Sequence, residues 1–247
     1  MIPGVFLQPS SHRGKSYGLD SAASPQFDGN LVPMPDPGKL VVFEGPDGVG
    51  KSTLVRYAED FLTESDVQFE SLSFPGKTFG TLGWIVDQIH HNKQQMGLDA
   101  LTPLSLQALH IAAHLDHIET RVVPRLVDGA LVLLDRYWWS TWVYGTADNV
   151  SVQVLRTLIE AEKAAWGPFV PALAFLVTRS TPLRPEHAPE SFHRLSTLYN
   201  ELASQESRQH PVFTVANDRI EESREAIRAT LCDVIPAPRA RKALRPR

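Results

Sequence analysis

The sequence contains a single cysteine, almost no excess charge and no long hydrophobic run. Because Cys232 is the only cysteine among 247 residues, no disulfide can form within the chain, which fits a reducing compartment. A formal net charge of −4 does not indicate nucleic-acid binding. No apolar run reaches the length of a bilayer span, and the first residues lack the pattern of a secretory signal. We therefore expect a cytoplasmic protein without membrane contact.

The composition divides the chain into three parts. Residues 1–38 are rich in proline, glycine and serine and have no apolar period, which predicts a flexible extension. Residues 39–235 have the length and hydrophobic content of one domain. Residues 236–247 carry Arg and Lys but no acidic residue, and we interpret them as a solvated basic tail. A weak contact between this tail and nucleic acid, or another acidic partner, is the open alternative.

Short apolar runs alternate with helical patterns between residues 39 and 235. The runs that predict strands are 40–43, 67–73, 130–134, 172–177 and 212–215. The helical patterns lie at 51–64, 80–93, 104–122, 151–165, 192–206 and 218–232. This alternation predicts an α/β fold in three layers, with a five-stranded parallel sheet flanked by helices.

The first strand leads into the sequence FEGPDGVGKST, residues 43–53, which satisfies the pattern G-x-x-x-x-G-K-[ST]. A strand before the pattern and a helix after it supply the context that a phosphate-binding loop requires. The sequence thus predicts a P-loop NTPase fold and a site that binds a nucleoside triphosphate and Mg²⁺. We expect Lys51 to bind the β- and γ-phosphates and the Ser52 hydroxyl to bind Mg²⁺. The predicted nucleotide-binding residues of the loop are Gly45, Asp47, Gly48, Val49, Gly50, Lys51, Ser52 and Thr53.

Three classes of protein share this loop, and a later segment separates them. A GTPase carries an N-K-x-D pattern, which this sequence lacks. A motor-type ATPase normally ends the corresponding strand in Asp-Glu, whereas LVLLDRY places Arg136 after Asp135. A cation beside the acid that faces Mg²⁺ suits a site that holds a second anion, the phosphoryl acceptor. We therefore favour a small-molecule kinase, with Asp135 in the water shell of Mg²⁺ and Arg136 and Lys77 on the acceptor phosphate.

With this segment the chain resembles the thymidylate kinase family, which phosphorylates dTMP. The segments that carry the resemblance, in order, are FEGPDGVGKST (43–53), SFPGKTFGTLG (73–83), the helix at 106–129 and LLDRYWWSTWVYG (133–145). The resemblance covers about residues 39–232 and implies transfer from ATP to a nucleoside monophosphate, most of all dTMP or a related pyrimidine deoxynucleotide. It also implies a homodimer. Two alternatives stay open: a kinase for another hydroxyl or phosphate acceptor, such as a modified nucleotide or nucleic acid, and a non-catalytic ATP-binding regulator.

The resemblance implies roles for further side chains. Asp47 would face the sugar hydroxyl of the acceptor, Glu44 would lie near the metal and its waters, and Arg184 would supply transition-state charge from a lid. The predicted catalytic residues are Glu44, Lys51, Asp135, Arg136 and Arg184, and Arg179 joins the ATP-binding set. The predicted acceptor-binding residues are Asp47, Phe74, Lys77, His110, His114, Arg136 and Tyr144.

The sequence departs from the family on the acceptor helix. His114 stands where the family has an arginine that recognises thymine, so the bidentate donor of that arginine is lost. The departure concerns the choice of acceptor and leaves the reaction type unchanged. His110, His114 and His117 share one helical face, which allows three interpretations: residues of the acceptor cleft, partly buried histidines of the core, or a metal site.

Overall fold

The computed structural model describes residues 36–183 and 189–235. Its sheet has five strands in the order β2-β3-β1-β4-β5, and every neighbouring pair is parallel. The strands are β1 Lys39–Glu44, β2 Phe69–Ser73, β3 Leu131–Asp135, β4 Leu173–Thr178 and β5 Val212–Ala216. At the centre, Val42 pairs with Leu134 on one side and Ala174 on the other. The carboxyl end of β1, where the phosphate loop begins, therefore lies at the middle of the sheet.

Helices cover both faces of this sheet. They are α1 Lys51–Glu64, α2 Leu82–Asn92, α3 Pro103–His117, a π-helical turn Ile118–Val122, α4 Val123–Val127, α5 Trp138–Ala147, α6 Val152–Trp166, α7 Pro189–Glu206 and α8 Ile220–Val234. Alternate residues of the strands enter two hydrophobic cores: Val42 and Leu134 pack with Trp139 in one, and Phe43 packs with Leu54 in the other. Because side chains alternate across a strand, the near-continuous apolar runs of the sequence fill both cores at once.

The predicted fold class is confirmed, and each of the five predicted strands forms within a few residues of its expected limits. Two helical features differ from the prediction. The helix expected at 104–122 forms as α3, which ends at His117. The chain then passes through the π-helical turn into α4. No helix was predicted at α5, whose aromatic run shows no clear polar face. Trp138, Trp139 and Val143 are buried, so a helix enclosed on several sides has little amphipathic period to detect.

Removing a side chain from the central strands is expected to lower stability sharply. Leu134 is fully buried in β3, between β1 and β2. We expect Leu134→Ala to reduce the free energy of unfolding in urea by about 3 kcal/mol, because it removes apolar contacts and leaves a cavity. The matched control is Val127→Ala, since Val127 is 50% exposed and should change stability by less than about 0.5 kcal/mol. Equal stabilities of the two variants would contradict this account of the core.

Three sequence-based predictions concern residues outside the described ranges. These are nearly all of the N-terminal extension, the basic tail at 236–247 and the proposed lid arginine Arg184. In the ranges that the structure does describe, no helix is both long enough and apolar enough to cross a membrane.

Candidate active site

The phosphate loop connects the end of β1 to the start of α1. Gly45 and Gly50 adopt φ angles of 140° and 88°, a conformation that only glycine adopts without strain. Gly50 precedes α1 without a side-chain cap, which leaves the first amides of the helix available to an anion. The buried Lys51 ammonium donates to the carbonyl oxygens of Gly45 at 2.7 Å and Pro46 at 2.8 Å. Burial, and then the charge of Arg136, lowers the pKa of Lys51 to about 8.

Two contacts from distant segments hold the loop, and neither was predicted. The side-chain amide of the buried Asn217 donates to the Val49 carbonyl at 2.7 Å. The backbone N–H of Leu183 donates to the Gly48 carbonyl at 2.8 Å. Asn217 follows β5, so it becomes a neighbour of the loop only through the parallel order of the sheet. No motif in the sequence marks it, because its partner is a backbone atom.

Arg136 lies immediately after β3, in a strained backbone conformation. Its φ is 76°, which is uncommon for a residue with a side chain and is frequent at functional sites. The guanidinium donates to the Ser140 hydroxyl at 2.9 Å and pairs with the Asp47 carboxylate. Tyr144 donates its hydroxyl proton to the other Asp47 oxygen at 2.8 Å and accepts from the Asp47 N–H at 3.0 Å. The acid of the loop thus contacts Arg136 and Tyr144.

Protein donors surround the side chain of Glu44 in the structure. It is the last residue of β1 and is fully buried. One carboxylate oxygen accepts from the N–H groups of Tyr137 at 2.7 Å and Ser140 at 3.0 Å, and the other accepts from the hydroxyls of Ser140 at 2.9 Å and Tyr199 at 3.2 Å. Burial raises its pKa. These contacts join the end of β1 to the start of α5 and to Ser140, which accepts from Arg136; the predicted place of Glu44 near the metal and its waters stays a prediction.

Asp135 and Ser52 have surroundings that fit Mg²⁺. Both line the same cleft as Lys51. One Asp135 carboxylate oxygen is buried and has no hydrogen-bond partner within the described ranges. Ser52 is exposed at the start of α1, so its hydroxyl is accessible to an ion beside the phosphates. Carboxylate and hydroxyl oxygens are hard ligands of the kind that Mg²⁺ binds directly or through water.

One cleft of about 780 Å³ brings most of the predicted residues together. Its lining includes Asp47, Gly48, Gly50, Lys51, Ser52, Thr53, Phe74, Lys77, His110, His114, Asp135, Arg136 and Tyr144. It also includes residues that the sequence analysis did not single out: Gln107, Ser140 and Thr141. Arg179 does not line this cleft and instead donates to the backbone carbonyl of Asn217. That contact gives no support to its predicted role at ATP.

The aromatic residues near the cleft have mostly structural surroundings. Phe74 is 4% exposed, and the ring of His114 stacks on it at 4.1 Å between centroids. Trp166 contacts it as well, at 6.0 Å. Because His114 covers one face of Phe74, only the remaining face or edge of that ring is available to a base. Trp138 and Trp139 belong to the hydrophobic core.

The three histidines of α3 have separate partners. His110 shares a hydrogen bond with His90 of α2, at 2.8 Å between their Nε2 atoms. His114 contacts Glu162, and His117 packs edge-on against Phe74. Within residues 36–183 and 189–235, no group of three or more His, Cys, Asp or Glu side chains could hold a metal ion. His110 and His114 line the cleft, and their predicted contact with the acceptor stays a prediction.

The burial of His90 and His110 is expected to make stability depend on pH. Burial is the main cause that lowers the pKa of both residues below the ordinary value of 6.5. The unfolded chain therefore binds protons at a higher pH than the folded protein, so the free energy of unfolding should decrease as pH falls below about 6.5. Urea denaturation between pH 7.5 and 5.5 measures this slope. It should be smaller in His110→Gln and unchanged in the control His91→Gln, whose side chain is 67% exposed. Equal slopes in all three proteins would refute the assignment.

These observations first define the class of the protein. A strand, a glycine-rich loop and a helix form the phosphate-binding unit, which contains Lys51. The parallel sheet places a second cation, Arg136, in the same cleft. The chain therefore has a P-loop NTPase fold. A family model described as thymidylate kinase matches residues 43–227, which is well over half of the chain. The chain therefore belongs to the thymidylate kinase family.

Individual relatives agree with this assignment. The thymidylate kinase of Anoxybacillus flavithermus is 34% identical over 134 residues, which cover 52% of this chain and 59% of the relative. That of Symbiobacterium thermophilum is 28% identical over 207 residues, or 80% of this chain and 94% of the relative. The chain spans less than two thirds of the length of the Anoxybacillus flavithermus enzyme and of several other matched thymidylate kinases. A crystal structure of thymidylate kinase from Ehrlichia chaffeensis shares the fold, with a TM-score of 0.63 and 19% identity over 81% of this chain and 100% of that one.

Proposed function

We propose that the protein catalyses ATP- and Mg²⁺-dependent phosphoryl transfer to a nucleoside monophosphate, with dTMP or a related pyrimidine deoxynucleotide as the acceptor. The observation that carries the proposal is the presence of Lys51 and Arg136 in one cleft. Two nucleotides bring two sets of phosphates, and each set needs its own cation to be held in line with the other. Membership of the thymidylate kinase family supports the same activity.

The described side chains divide the work in this proposal. Lys51 exchanges the carbonyls of Gly45 and Pro46 for the donor phosphates, and the loop amides and the start of α1 bind the same anion. Arg136 binds the acceptor phosphate, and its guanidinium is held in place by a hydrogen bond to the Ser140 hydroxyl. Mg²⁺, when bound, neutralises charge on the β- and γ-phosphates.

Two acidic residues, Asp135 and Asp47, also take part in the proposed mechanism. Asp135 and Ser52 would hold Mg²⁺, directly or through water. Asp47, which pairs with Arg136 and accepts from the Tyr144 hydroxyl, would face the sugar hydroxyl of the acceptor.

A coupled assay of ADP release tests the activity directly. The panel contains dTMP, dUMP, dCMP, dAMP and dGMP, each with and without Mg²⁺. We expect turnover with a pyrimidine deoxynucleotide when Mg²⁺ is present, and no turnover when Mg²⁺ is left out. ATP binding without turnover of any monophosphate would contradict the proposal and favour the non-catalytic regulator. Turnover with a different hydroxyl or phosphate acceptor alone would favour the other alternative.

The location, the assembly and the division of the chain are also proposals. A cytoplasmic location agrees with the free thiol of Cys232. Pairing as a homodimer, which the resemblance implies, is tested by light scattering of the full chain. The boundaries at residues 38 and 235 are tested by limited proteolysis. A contact of the basic tail with nucleic acid is tested by the salt dependence of oligonucleotide binding.

A further inference from the structure

A buried histidine–carboxylate pair contributes one residue, His114, to the lining of the cleft. The Nδ1 atom of His114, on α3, is 2.9 Å from a carboxylate oxygen of Glu162, on α6. The two side chains are 3% and 0% exposed. Polar and charged side chains are costly to bury, even as hydrogen-bonded partners. A buried pair beside the cleft therefore calls for an explanation beyond packing. His114 is also the position where the sequence departs from the family.

The contact with Glu162 favours one tautomer of His114. In that tautomer Nδ1 donates to the carboxylate oxygen, and Nε2 is an acceptor. The stack on Phe74, with 17° between the planes, fixes the orientation of the ring. Within the described part of the chain, Nε2 makes no hydrogen bond, and His114 lines the cleft.

Two polar residues accompany His114 in this lining. The Thr141 hydroxyl is buried and has no hydrogen-bond partner among the residues that the structure describes. Gln107 is 3% exposed, and its side-chain amide carries two donors. Both line the cleft together with His114. The lining of the cleft thus combines one acceptor, Nε2 of His114, with two groups that can donate to carbonyl oxygens.

We propose that Glu162 is a positioning residue that holds His114 as a hydrogen-bond acceptor, and that this arrangement selects a base with a ring N–H between two carbonyl groups. The proposal rests on the proposed phosphoryl transfer to a pyrimidine nucleotide and concerns the base alone. Thymine and uracil present a donor between two acceptors, which is complementary to His114, Thr141 and Gln107. Cytosine presents a ring nitrogen lone pair at the same place, which would face the lone pair of Nε2 without a proton between them.

Substrate selection supplies the kinetic test. We expect wild-type protein to prefer dUMP over dCMP in kcat/KM by at least about a hundredfold, because a site built for a hydrogen bond rejects the analogue that lacks it. Glu162→Met removes the acceptor that fixes the tautomer while filling a similar volume. It should reduce that preference about tenfold, the worth of one hydrogen bond, and leave KM for ATP unchanged. The matched control is Glu160→Met, an exposed acid on the same helix, which should keep the wild-type preference.

A spectroscopic measurement keeps the test valid if Glu162→Met does not fold. The ¹⁵N resonances of His114 in wild-type protein should show a protonated Nδ1 and an unprotonated Nε2, and adding dUMP should shift the Nε2 resonance. A proton on Nε2 in the free protein, or equal dUMP:dCMP preference in wild-type protein and folded Glu162→Met, would overturn the inference. If wild-type protein phosphorylates no pyrimidine monophosphate, the proposed function itself fails, which is a distinguishable result.

Discussion

Replacing Arg136 with glycine is expected to lower kcat/KM for the monophosphate acceptor about a thousandfold. The guanidinium lies in the cleft with 23% of its side chain exposed, where it pairs with Asp47 and donates to Ser140. Removing a partly buried charge that holds a phosphate typically costs several kcal/mol, which corresponds to losses of this order. KM for ATP should change little, because Lys51 and the loop amides bind the donor. The coupled ADP-release assay with the preferred acceptor measures both constants.

Glycine is the informative replacement because of the backbone. Arg136 has a φ of 76°, which glycine adopts freely and alanine does not. Arg136→Gly and Arg136→Ala should therefore lose the same activity, while the glycine variant is more stable by about 1 kcal/mol in urea. Arg228→Ala, which removes an exposed arginine of α8, serves as the control and should keep full activity. Full activity of Arg136→Gly would show that the guanidinium does not hold the acceptor.

The Lys51→Met variant is expected to lose at least about a thousandfold in kcat, because the donor phosphates lose their preorganised cation. Methionine keeps nearly the length of the side chain without its charge. In the ligand-free protein the buried ammonium is unfavourable, as its pKa of about 8 shows, and its partners are two backbone carbonyls. Relief of this burial offsets the lost hydrogen bonds, so the melting temperature of the variant should stay close to that of the wild type.

Thermal melting with and without ATP and Mg²⁺ distinguishes lost binding from lost folding. Wild-type protein should be stabilised by the nucleotide, and Lys51→Met should melt normally but gain much less from it. Lys93→Met is the control, since Lys93 donates to the Leu101 carbonyl and does not line the cleft. An unchanged nucleotide-induced shift together with normal turnover in Lys51→Met would contradict the assignment of the phosphate loop.

The sequence was most informative where one local rule decides the structure. The glycine spacing, the lysine and the apolar strand before them predicted the loop, because backbone conformation and anion binding there depend on residues close in the chain. The sequence was least informative at α5. There the helix follows from burial against neighbouring elements, and a helix surrounded by protein carries no polar face that a periodicity could show.

By itself, the sequence determined the fold class, the phosphate loop and the place of Arg136 after the third strand. Only the tertiary structure decided the partners of the buried acids: Glu44 meets Tyr199 across 155 residues of chain, and Glu162 meets His114 across 48. A carboxylate in a sequence has no marked partner, since its role depends on which donors surround it after packing. Burial makes those contacts obligatory, because an unpaired buried charge is too costly to persist, but which residues become neighbours is set by the order of the parallel strands and the helices that cover them.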